Sequence, residues 1–215
     1  MRRSTVFALV ALLTAAFASP AAADGSANWK LYTYAPSDQT LSSKQADEGN
    51  AFTFTSTPDT ALFAVQRPEG NTSLAGRTIT ATFRIDAPAG TTFHYSGEGT
   101  PSNPCGTPAT VRLYFSSNGP MGSKKDWYSN FWWSRSAGSS QQLANGTFTI
   151  TANVSPGSWS NWNGKLDTDR PDGFAAAAAD PDLIGFSFGG GCFYENGVGA
   201  TGGDATFTLL TFTIN

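Results

Sequence analysis

Arg77-Thr78-Ile79-Thr80-Ala81-Thr82-Phe83-Arg84-Ile85 is apolar at every second position: Ile79, Ala81, Phe83 and Ile85 share one side, Thr78, Thr80, Thr82 and Arg84 the other. A period of two places successive side chains on opposite faces of a pleated chain, so this stretch predicts a strand with one face in a core and the other in water. The alternation returns in Thr110 to Phe115, with Val111, Leu113 and Phe115 inward, and in Thr147 to Val154, with Phe148, Ile150, Ala152 and Val154 inward. Shorter strands are predicted at Trp29 to Ala35, Ala51 to Thr55, Ala61 to Gln66, Thr92 to Ser96, Trp127 to Arg135 and Leu183 to Phe188. Near the end the parity switches between Ala205-x-Phe207-x-Leu209 and Leu210-x-Phe212-x-Ile214, which predicts a β-bulge at Leu209 and Leu210 or burial of both faces.

Turn chemistry separates these runs, as in Ala87-Pro88-Ala89-Gly90, Asn118-Gly119-Pro120, Asn145-Gly146 and Thr201-Gly202-Gly203-Asp204. Many short strands so punctuated predict an all-β fold, an antiparallel β-sandwich of jelly-roll type. One short helix is expected at Asp172 to Ala179, between Pro171 and Pro181, with Asp172 as its N-cap.

The first 23 residues read as a secretory leader: Arg2 and Arg3, the apolar run Val6 to Phe17, and a small-residue cleavage site at Ala21-Ala22-Ala23. Residues 24–215 are then expected to form one β-sandwich domain in a secreted or extracytoplasmic protein, and the alanine-rich leader suggests a bacterium. The formal net charge is −3 for the whole chain, and it becomes more negative once Arg2 and Arg3 are removed, so a basic nucleic-acid surface is not expected. After the leader, no apolar run is long enough to span a bilayer. With 16 Phe, 6 Trp and 6 Tyr, the chain carries far more apolar bulk than a disordered one. Cys105 and Cys192, the only cysteines, are expected to form one disulfide after export.

Several segments are candidates for chemistry. In Trp127-Tyr128-Ser129-Asn130-Phe131-Trp132-Trp133, a continuous strand would put Trp127, Phe131 and Trp133 in the core and present Tyr128, Asn130 and Trp132 outward. Arg112 and Tyr114 would join that surface if their strand pairs with it. Indole and phenol rings beside amide and guanidinium groups suit a pyranose, which has an apolar C–H face and a rim of hydroxyls; the alternative is that the rings are core or edge cover. Trp159 and Trp162 lie in a turn-rich stretch, Pro156 to Gly164, and serve either as a binding edge or as a plug for the sandwich end. Asp167, Asp169 and Asp172 are a weak calcium candidate: the spacing departs from D-x-D-x-D-G, and no distal bidentate Glu follows. Glu98 and Glu195 are the carboxylates from which a glycoside hydrolase could be built, drawn together by the disulfide, yet neither has apolar sequence neighbours to raise its pKa. His94, the lone histidine, reads as a polar strand residue. The glycines at 189–191 suggest a strand bend or a close backbone approach.

In its order of Trp159 and Trp162, a short helix near Phe174, the strand Ile184 to Phe188 with Gly189-Gly190-Gly191, and a terminal Ala205-x-Phe207-x-Leu209 strand, the chain resembles secreted bacterial jelly-roll proteins of the galactose-binding-like kind. Many carbohydrate-binding modules belong to that superfamily. The resemblance implies non-catalytic binding of an extracellular glycan, with no cofactor; no catalytic residue carries over.

Overall fold

In the computed structural model, strand alternation at Arg77 to Ile85 becomes one wall of a two-sheet core. The structure describes residues 28–34, 41–66, 73–120 and 127–215; the leader lies outside them. The strands are β1 (Trp29–Tyr34), β2 (Leu41–Gln45), β3 (Ala51–Thr53), β4 (Thr60–Gln66), β5 (Thr78–Asp86), β6 (Thr92–Tyr95) and β7 (Thr110–Ser116). Then follow α1 (Trp127–Asn130), β8 (Phe131–Ser134), β9 (Ser140–Gln142), β10 (Gly146–Asn153) and β11 (Trp159–Asn161). A 3-10 turn (Asp167–Asp169), α2 (Pro171–Ala179), β12 (Leu183–Gly189), β13 (Val198–Thr201) and β14 (Thr206–Ile214) complete the order.

All pairings are antiparallel. The large sheet runs β11-β8-β7-β12-β4-β1-β2 with β13, β6 and β9 attached, and the small sheet runs β10-β5-β14-β3. The chain crosses repeatedly between the sheets, the antiparallel sandwich that the sequence predicts. The inward residues of β5, β7 and β12 (Ile79, Phe83, Leu113, Phe115, Phe186, Phe188) meet in one core. The predicted bulge is present: the β14–β5 register shifts between Leu209 and Thr211, leaving Leu210 42% exposed.

Two predicted elements are different. Trp127 to Arg135 is not a continuous strand but the turn of α1 followed by β8. Trp132 Nε1 donates to Ser129 O (2.9 Å) and Asn161 Nδ2 to Tyr128 O (2.8 Å), so carbonyls that a strand would present to a ladder are satisfied by side chains. The grouping of the alternation is kept but its faces are exchanged: Trp132 enters the inter-sheet core, while Trp127, Phe131 and Trp133 lie with the other cluster. Asp172 is not the N-cap of α2; Arg170 is, and Pro171 fills the first helical position, where a missing N–H costs nothing.

Candidate functional site

The side of the large sheet that faces away from the small one is built by register. Trp133, Tyr114, Gly185 and Ala64 form one row across β8, β7, β12 and β4. Arg112, Ser187, Leu62 and Tyr32 form the next, across β7, β12, β4 and β1. Pairing of β7 with β8 thus brings Arg112 and Tyr114 beside the aromatic segment, as the sequence suggests, although Trp133 rather than Trp132 is their neighbour. The Tyr114 and Trp133 ring centroids are 5.5 Å apart, and Tyr194 lies 6.5 Å from Trp133. The Arg112 guanidinium sits 3.9 Å from the Tyr194 ring centroid, a cation–π contact.

This face holds polar atoms that the described residues do not pair. Trp133 Nε1, Ser187 Oγ and Ser160 Oγ, the last opposite Trp133, are buried without a hydrogen-bond partner. Such an atom ordinarily costs about 1–3 kcal/mol. Burial raises the Tyr114 phenol well above its usual range; the Glu195, Tyr34 and Tyr32 groups add to the effect, and the nearby Ser116 hydroxyl opposes it.

Tyr194 and Glu195 are carried by a loop fastened at several points. The Cys105–Cys192 disulfide, with Cα atoms 5.0 Å apart, anchors its start, as expected from the cysteine pair. Asn103 Oδ1 accepts from Cys192 N, and Asn196 bonds Gly190 N and Ser96 O (2.9 and 2.6 Å). A Cβ on Gly190 would collide with the Tyr95 ring, so glycine is required there by close approach. Tyr34 Oη donates to Glu195 O (2.8 Å). Burial in these surroundings pushes the Glu195 carboxyl up to about 8. The expectation that Glu195 lacks an apolar neighbourhood is therefore wrong, because its neighbours come from β1 and β7 rather than from adjacent residues. Glu98 is exposed, with Oε2 facing the Tyr95 amide of its own turn (3.4 Å).

At the sheet edge is an exposed aromatic platform. Trp127 packs against the outer-face cluster and lies 4.7 Å, centroid to centroid, from Trp162; Tyr128 lies 6.5 Å from Trp162 on the other side. Trp162 and Tyr128 are 38% and 40% exposed. Asn161 makes this presentation possible: its Oδ1 accepts from Asn163 N and Lys165 N, shaping the turn, while Nδ2 ties it to α1. Asn130, half-buried at the end of α1, stays close to the platform in sequence, with its backbone O accepting from Ser117 N.

Other predicted ligands fall elsewhere. Trp132 and Trp159 are fully buried between the sheets, against Phe174 and Phe115. Trp159 belongs to a strand, so neither can offer a ring face to a ligand. The calcium candidate also fails. Asp167, 1% exposed, accepts from the amides of Gly157, Ser158, Trp159 and Thr168; Asp169 accepts from Leu166 N, and Asp172 occupies the first turn of α2. The carboxylates of Asp167 and Asp169 serve the backbone, and no metal-binding cluster is found among the described residues. His94 Nε2 is bonded to Ser56 O (3.1 Å), a strand role. A separate pocket of about 460 Å³ lies between the Ala87–Thr92 turn and Gln142–Asn145, with no ionisable side chain in its lining.

Sequence reasoning missed Trp133, Tyr194 and Asn161. The last had a readable signal, an Asn-x-Asn-Gly turn beside a tryptophan; Tyr194 had none, since its partners are remote in sequence. No helix among the described residues is long and apolar enough to cross a membrane. The chain matches no protein-family model and no curated protein. It is similar to a solved structure described as "xylan-binding module CBM15", with 14% identity and a TM-score of 0.40, covering 87% of this chain and 94% of that one.

Proposed function

We propose that this protein is a secreted, non-catalytic glycan-binding β-sandwich, with its single domain spanning residues 24–215, and that the glycan lies along the outer face of the large sheet and its aromatic edge. The observation that carries the reading is the exposed aromatic platform at the edge of that face, where Trp162 and Tyr128 stand open beside Trp127. A polyhydroxylated ligand has an apolar C–H face for such rings and a rim of hydroxyls for the polar groups around them. Trp162 and Tyr128 form the accessible end of this surface, and Trp127 links them to its floor. The disulfide is compatible with an extracellular setting.

Titration with neutral and acidic oligosaccharides, read by tryptophan fluorescence and calorimetry, tests the proposal. Trp162→Ala should weaken binding about tenfold or more while leaving thermal stability nearly unchanged, as exposed substitutions do. Failure of the wild-type protein to bind any oligosaccharide would overturn the reading. So would release of reducing ends that Glu195→Gln abolishes, which would mark the face as hydrolytic.

A further inference from the structure

Arg112 is 8% exposed on the floor of the face, yet among the described residues it has no carboxylate partner. The one ion pair found there, Arg84–Asp86, is on the small sheet. Its described contacts are a carbonyl, Ser134 O at 3.2 Å from Nη1, and the Tyr194 ring stacked on the guanidinium. A guanidinium has five N–H donors in its plane, and the bond to Ser134 uses one of them. A buried cation normally has a counter-charge or a full set of hydrogen bonds, and among the described residues this one has neither. Desolvation lowers its pKa, the Tyr194 phenol opposes this, and the Arg135 charge acts with the desolvation. Glu195, next in sequence to Tyr194, does not neutralise it near neutral pH, because burial keeps that carboxyl protonated up to about 8. In a chain of net charge −3, this is a local positive centre.

Directly across in register from Arg112 is Ser187, whose Oγ is buried and unpaired. We propose that Arg112 and Ser187 form a carboxylate-binding subsite, so that the preferred glycan carries uronic acid residues. The arrangement matches the ligand's chemistry: a planar fork for two carboxylate oxygens and a hydroxyl donor beside it. This inference rests on reading the face as a glycan site and specifies the class of glycan.

The decisive comparison uses one uronic-acid oligomer and its carboxyl-reduced, neutral counterpart, so that chain length and linkage are unchanged. The wild-type protein should bind the acidic oligomer about tenfold or more tightly, with affinity falling as salt rises. Arg112→Gln should abolish the preference, and Arg112→Lys, which keeps the charge but loses the fork, should restore only part of it; melting curves establish that each variant is folded. Equal wild-type affinity for the two oligomers overturns the inference and leaves the glycan reading standing, and this arm needs no variant. A preference that survives in folded Arg112→Gln also overturns it. Binding of neither oligomer, nor of any other glycan, overturns both.

Discussion

Trp132 and Trp133 are neighbours in sequence with opposite situations. Both are buried, but Trp132 Nε1 has a carbonyl partner and its ring meets Phe174 edge-on at 5.1 Å, whereas Trp133 Nε1 has no partner among the described residues. An indole with both its ring and its N–H satisfied is held by the core on every side. Trp132→Ala should therefore cost about 3–5 kcal/mol as a large-to-small core change, measured by urea unfolding of the purified protein. A cost within about 0.5 kcal/mol, the range of surface changes, would place Trp132 outside the core.

The loop after β12 shows how an element converts burial into pH dependence. The Glu195 carboxyl has an ordinary value of 4.5 and is pushed up to about 8 in the folded protein. Between these values the unfolded chain has lost the proton that the folded protein keeps, so the unfolded state binds fewer protons and stability falls as pH rises. The loss should begin near pH 5, amount to a few kcal/mol at about 1.4 kcal/mol per pH unit, and level off above about pH 8. Denaturant titrations from pH 5 to 9 measure it, and Glu195→Gln should flatten the curve; an unchanged slope would place the effect in another group. At this scale, what could be read from sequence depended on whether an element's environment is local. Alternation in β5, β7 and β10 needs only the strand itself, and it matched the structure. The Trp127 to Arg135 segment was misread because alternation groups Trp127, Phe131 and Trp133 on one side without telling which side the small sheet covers, and that side is Trp132's. Glu195 was misread because Tyr34 and Tyr114, which surround it, are 161 and 81 positions away, and Asp167 and Asp169 because their partners are backbone amides that only the folded turn presents.

The two outer surfaces of the sandwich differ in how their polar atoms are satisfied. On the small sheet, outward threonines pair across strands: Thr80 with Thr151 at 3.2 Å, Thr82 with Thr149 at 2.9 Å and Thr53 with Thr206 at 3.2 Å. On the large sheet, aromatic rings and unpaired buried atoms share the floor, and the disulfide-anchored loop holds Tyr194 and Glu195 over it. The disulfide closes a separation of 87 residues, and the chain-entropy model assigns such a loop about 4–5 kcal/mol, an upper figure because the denatured state keeps some structure. Replacing both cysteines by serine should therefore lower unfolding stability by about 2–5 kcal/mol. Asn103 and Asn196 still fasten the loop in that variant, so the protein should remain folded at moderate temperature while Tyr194 is held less firmly over Arg112. The expected outcome is a lower melting temperature together with weaker glycan binding under conditions where the variant is fully folded. Loss of stability with binding unchanged would show that the asparagine bonds alone position Tyr194, and that the disulfide protects the fold without shaping the face.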